Sequence, residues 1–155
     1  MTPDELLVSS KRRIQVADHF LTQTYPLVGD PKLLLNILDG ILHALQEMVD
    51  ATVQFEHAAG RIPAYNETSF AAKLSLFKGD LAKRYNLGHI DIAMVSEMQE
   101  LLASHKTSAL EFARKGTYVM ADDDYRLQTL SVEKVKTYLT RTKTLYTKIH
   151  DTILS

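Results

Sequence analysis

The sequence predicts an all-α protein, an antiparallel bundle of four to five helices forming one domain over residues 1–155. Three observations carry this expectation. Apolar residues return every three or four positions along most of the chain, the period of a helix that hides one face. Helix-start signals stand ahead of those stretches at Thr2-Pro3, Asp30-Pro31 and Ser131. No Pro/Gly/Ser-rich linker and no repeat divides the chain. Short connections then make neighbours in sequence neighbours in space.

The first helix opens on Thr2 as cap, with Pro3 at its first position and Glu5 completing a capping box. Leu7, Ser10, Ile14, Ala17, Leu21 and Tyr25 form its seam, and Pro26 is expected to stop it, having no N–H to donate. The second helix runs from Pro31 to Gly60 on a stripe of Leu34, Leu38, Ile41, Leu45, Met48, Thr52, Phe55 and Ala59. Leu35, Leu42 and Val49 widen that stripe, so this helix, roughly 43 Å long at 1.5 Å per residue, is expected at the centre of the bundle. Gly40 in its middle costs about 1 kcal/mol against Ala and suggests the close approach of another backbone. The third helix carries Phe70, Leu74, Phe77, Leu81 and Tyr85, and ends at Asn86-Leu87-Gly88. The fourth carries Ile90, Met94, Met98, Leu101 and Leu102 and fades near His105. Ser108 and Glu111 form a further capping box, predicting a short helix with Leu110 and Phe112 that Gly116 breaks. Tyr118-Val119-Met120 looks extended, and 121–130 irregular. Ser131 then caps a last helix whose inner face is Val135, Tyr138, Leu139, Thr142, Leu145, Ile149 and Ile153.

The totals exclude several functions. With 18 basic and 19 acidic residues the net charge is −1, so nucleic acid or an acidic membrane would have to be drawn by a local patch. There is no cysteine, hence no disulfide, thiolate nucleophile or thiolate metal site. No apolar run reaches the roughly 18 residues that span a bilayer, and Met1-Thr2-Pro3-Asp4-Glu5 is unlike a signal peptide. A soluble cytoplasmic protein without a membrane partner is the expectation, and Asn66-Glu67-Thr68 is read as a chance sequon. The six histidines are scattered, with no i, i+4 pair and no Glu-x-x-His element, so neither a metal nor a cofactor is expected. Phosphate-loop, dinucleotide and nucleophile-elbow motifs are absent.

Two polar clusters are candidates for chemistry. Arg84-Tyr85-Asn86-Leu87-Gly88-His89 sits at a helix junction. There a guanidinium stabilises phosphate charge and an imidazole moves a proton near neutral pH. The structural reading makes the same residues a cap and two solvated side chains. The second cluster joins Arg114, Lys115 and Tyr118 to Asp123, Asp124, Tyr125 and Arg126. Its cations suit phosphate and its tyrosines suit base stacking; the favoured structural reading pairs Asp122, Asp123 and Asp124 with Arg114 and Arg126 within the loop. Lys11-Arg12-Arg13 and the last helix's Lys134, Lys136, Arg141, Lys143 and Lys148 are basic faces. Aligned, they would give one positive side suited to RNA.

The Arg-x4-His element at Arg84 and His89, together with long helices and a short one before the last, resembles the HEPN (higher eukaryotes and prokaryotes nucleotide-binding) superfamily. The segments Tyr25-Pro26-Leu27, Pro31-Lys32-Leu33-Leu34 and Glu111-Phe112-Ala113-Arg114-Lys115 also look like small archaeal helical proteins. The HEPN resemblance implies a four-to-five-helix bundle that usually forms a homodimer. In many members Arg and His act as a metal-independent ribonuclease of toxin or defence systems. Here Asp91 stands where one toxin subgroup has Tyr, and Arg114 and Arg126 lack a His at the required distance. The leading expectation is therefore a non-enzymatic bundle that binds RNA, a nucleotide or a protein partner. The alternatives are a ribonuclease using Arg84 and His89, and a structural homo-oligomer.

Overall fold

The computed structural model describes all residues 1–155. The chain is a helical bundle closed at one end by a small sheet: α1 (Pro3–His19), a π-helical turn (Phe20–Thr24), α2 (Tyr25–Val28), α3 (Leu33–Ala58), α4 (Phe70–Lys78), α5 (His89–Thr107), β1 (Leu110–Arg114), β2 (Thr117–Ala121), β3 (Leu127–Ser131) and α6 (Val132–Leu154). No helix is long and apolar enough to cross a membrane.

The long helices follow their apolar stripes. The Thr2 hydroxyl accepts the Glu5 N–H at the start of α1, and the Ser131 hydroxyl accepts the Lys134 N–H at the start of α6. All seven expected inner positions of α6 are buried. The central helix α3 buries fourteen residues, among them Leu34, Leu38, Ile41, Leu45 and Met48. It packs against α1, α4, α5 and α6, so its broad apolar surface is covered by its own chain. Three buried hydroxyls stay in the helices by donating back to carbonyls: Ser10 to Leu7, Thr52 to Met48 and Thr142 to Tyr138.

The fold is not all-α. Residues 110–131 form a three-stranded antiparallel sheet in the order β1-β2-β3, where the capping box at Ser108 and Glu111 had indicated a short helix. The decisive feature is the two-residue turn Lys115-Gly116. Both residues have positive φ, 49° and 77°, the arrangement whose twist matches antiparallel strands. It pairs Arg114 with Thr117 and sets the register through to Leu110 opposite Ala121. Glu111 does not cap a helix; its carboxylate lies 2.7 Å from His105 Nδ1 at the end of α5. The stretch expected to be irregular holds β3, paired with β2 from Thr117–Ser131 to Ala121–Leu127. Tyr118, Met120 and Leu130 on the inner face join the main core.

Three further expectations are corrected. Pro26 does not end the first helix. The π turn, closed by the Tyr25 N–H on the Phe20 carbonyl, shifts the hydrogen-bond ladder so that Pro26 falls in the first turn of α2, where it needs no N–H. Gly29, at φ 70°, ends that helix. The third helix stops at Lys78 because Gly79 leaves helical geometry at φ −95°, ψ −83°. Leu81 and Tyr85 are buried from a series of turns instead. No backbone approaches Gly40: a Cβ there would meet nothing within 4 Å.

Candidate functional site

The helix junction at Arg84 is organised around a residue the sequence reading passed over. Glu56, near the end of α3, has no exposed surface. Its carboxylate accepts from Arg84 Nε at 2.5 Å and also from Arg61 Nε. Burial alone would raise the Glu56 pKa, but hydrogen bonding and the positive charge of the guanidinium groups win, holding it below the ordinary value. The buried Tyr85 hydroxyl lies against this pair, near enough to feel both charges, without hydrogen-bond geometry to either. Burial and the Glu56 carboxylate push its pKa well up. Arg61 also stands over the Phe55 ring, 5.6 Å from its centroid.

The rest of the junction is fastened by Lys148 of α6. Its ammonium donates to the Asn86 carbonyl and to Asp91 Oδ2, each at 3.0 Å. Asp91 in turn accepts the Gly88 N–H at 2.8 Å, which caps α5. Asn86 takes the left-handed conformation, φ 53°. Arg84 is thus turned onto Glu56, whereas His89 opens α5 as an exposed side chain that forms neither a hydrogen bond nor an ion pair. The arrangement fixes three elements to one another. Glu56 was legible in principle: it falls four residues after Thr52 on the buried stripe of α3, a charge where a core helix has none.

The second cluster is divided by the sheet. Arg114 and Lys115 stand at the β1–β2 turn, while Asp123, Asp124, Tyr125 and Arg126 occupy the β2–β3 connection at the other end. Tyr118 faces the core at 7% exposure. Tyr125 is 88% exposed and left-handed at φ 61°. The expected pairing of Asp with Arg does not form; Asp122 Oδ1 instead accepts the backbone N–H groups of Asp124 and Arg126. Of the five cations of α6, three are tied down: Lys143 to Asp18 at 3.3 Å, Lys134 to the Thr129 carbonyl and Lys148 at the junction; Lys136 and Arg141 form no ion pair.

The third feature is an open groove between α1 and α3, about 490 Å³ in volume. Its walls are Ser9, Arg12, Val16 and Phe20 on one side and Leu33, Asn36, Ile37 and Gly40 on the other. Val16 and Phe20 are 49% and 40% exposed, apolar residues off the buried seam of α1. The π turn begins at Phe20 and holds that ring at the end of the groove. Arg13 is tied to Glu47 at 2.5 Å. Lys11 and Arg12 are exposed and form no ion pair. The signal in the sequence was the set Ser9, Arg12, Val16 and Phe20 at spacings 3-4-4, a second, mixed stripe beside the buried one. Comparison with protein families, curated proteins and solved structures finds no match to this chain.

Proposed function

We propose that the chain is a non-catalytic binding module that recognises a protein partner through the α1–α3 groove. The occupant is an amphipathic helical segment with acidic residues flanking its apolar face. The observation that carries this reading is the exposed Val16–Phe20 floor beside the unpaired Arg12. An open apolar trough between two helices accepts the apolar face of a third, read at i, i+3 and i+7. From Ser9 to Phe20 the groove runs roughly 16 Å, about three helical turns. Gly40 leaves space on the floor for a side chain of the occupant. Arg12 at the rim selects carboxylates and repels a basic helix.

The test uses a fluorescent synthetic amphipathic helix with leucines on one face and glutamates flanking them, titrated by anisotropy, with a lysine-flanked copy and a short RNA as controls. The acidic peptide binds and the basic copy does not. Phe20→Ala removes an anchor of about 2 kcal/mol, roughly thirtyfold in affinity, and Arg12→Glu weakens binding in a salt-sensitive way. Equal affinity across wild type and both variants refutes the groove as the site. Tight RNA binding lost in Arg12→Glu reassigns it to nucleic acid.

A further inference from the structure

The sheet carries an open edge. β1 pairs with β2 on one side and with no strand on the other, and four of its five residues are exposed. Such an edge presents unpaired N–H and C=O groups and is usually blunted by lysine, proline or a bulge. The strand Leu110-Glu111-Phe112-Ala113-Arg114 has no proline and no bulge. Leu110, 59% exposed, and Phe112, 41% exposed, share its outer face. Leu127 of β3, 64% exposed, lies on the same face across the sheet, paired with Ala121 beside Leu110.

The charges at the two ends of the sheet are opposite and unpaired. Arg114 and Lys115 mark the turn at one end; at the other, Asp122, Asp123 and Asp124 outweigh Arg126 and leave the connection net acidic. None of the six joins an ion pair within the chain.

We infer that β1 pairs antiparallel with β1 of a second copy, joining two three-stranded sheets into one of six strands about a two-fold axis at Phe112. An antiparallel pair reverses direction, so the basic turn of each copy arrives at the acidic end of the other. The long Arg114 and Lys115 side chains thereby lean across the partner's β1 toward its acidic connection, an attraction about two to three strand spacings long that the two-fold axis repeats. Phe112 meets its counterpart at the axis and Leu110 meets the aliphatic stem of Arg114, pairs that favour antiparallel strands. A strand pair alone buries less than the roughly 1,600 Å² of a standard interface, so the dimer is concentration-dependent. Placing the axis at Glu111 sets two carboxylates opposite each other and is disfavoured.

Sedimentation velocity over a wide concentration range tests the inference, with circular dichroism confirming that each variant is folded. Wild type passes from monomer to dimer. Phe112→Lys, which places two ammonium groups at the axis, stays monomeric. The pair Arg114→Glu/Lys115→Glu puts carboxylates at both ends of the sheet, and Asp123→Lys/Asp124→Lys puts ammonium groups at both. Each alone is monomeric. Mixed, the two variants form a heterodimer, because acidic ends of one meet basic ends of the other at both contacts. A wild type that remains monomeric throughout overturns the inference. So does a dimer indifferent to Phe112→Lys, or a mixture that does not associate.

Discussion

Replacing Glu56 with Gln removes the carboxylate that Arg61 and Arg84 share while keeping its shape. The Glu56 side chain has no exposed surface, but each arginine is 40% exposed. Breaking a fully buried pair costs about 3–5 kcal/mol. Here the freed guanidinium groups regain water, so the expected loss is about 2–3 kcal/mol. For a chain of this size that lowers Tm by roughly 5–10 °C, measured by thermal and urea unfolding. The pH dependence gives an independent check. The folded-state pKa of Glu56 lies below its reference value of 4.5, so its contribution is fully present above that value. It fades as pH falls through the lower folded value. Wild type and Glu56→Gln should therefore differ by a constant amount near neutrality and converge in acid. Tyr85→Phe is the companion variant. Its hydroxyl lies beside Glu56 and Arg84 without full hydrogen-bond geometry to either, so its removal should cost far less than removal of the carboxylate. A difference that persists into strong acid, or a Tyr85→Phe variant as unstable as Glu56→Gln, would refute this account of the junction.

Three further outcomes follow from named contacts. Lys148→Met loses the bonds to the Asn86 carbonyl and to Asp91; with Lys148 29% and Asp91 11% exposed, the cost lies between a surface and a buried pair, about 1–2 kcal/mol by urea unfolding. Gly40→Ala should stabilise by up to about 1 kcal/mol, because a Cβ there meets nothing within 4 Å; a lower Tm would show that the groove floor is closed. In EDTA, RNA incubated with wild type and with His89→Ala should remain equally intact, because Arg84 is engaged by Glu56; cleavage lost in His89→Ala would favour a ribonuclease.

The helices were legible because each buries one stripe, and a stripe repeats in sequence whatever lies opposite. The inner face of α6 could be read residue by residue for that reason. In residues 108–131 only the extended stretch Tyr118-Val119-Met120, which is β2, could be read, because a strand of five residues is defined by its cross-strand partner. Ser108 and Glu111 satisfy a local helix rule, yet the left-handed pair Lys115-Gly116 folds the chain back on itself, and Tyr118, Met120 and Leu130 gain burial only from that reversal. Pro26 misled for a related reason: its cost depends on which carbonyl it faces, and the π turn changes that carbonyl. At the junction, Arg84 and His89 were visible as a pair of residue types. The residues that organise the junction, Glu56 on Arg84 and Lys148 on Asn86, are 28 residues before Arg84 and 62 after Asn86 along the chain, beyond any local pattern.

The distribution of unpaired charge separates what holds the molecule together from what is left for recognition. Charges at the junction and along the inner edges of the helices have partners: Glu56 with two arginines, Asp91 with Lys148, Asp18 with Lys143, Glu47 with Arg13. An ion pair already made within the chain offers a ligand little, because binding must first break it. Arg12 beside Val16 and Phe20, and the two ends of the sheet beside Leu110 and Phe112, are different. There unpaired charge borders exposed apolar surface, and both can be satisfied by one partner without loss to the fold. Exposed apolar residues scattered singly need no partner. These are grouped on two faces, one across α1 and α3 and the other on the sheet. Two separate surfaces allow a second copy to occupy one while a helix of another protein occupies the other, so substitutions at Phe20 and at Phe112 should act on different equilibria.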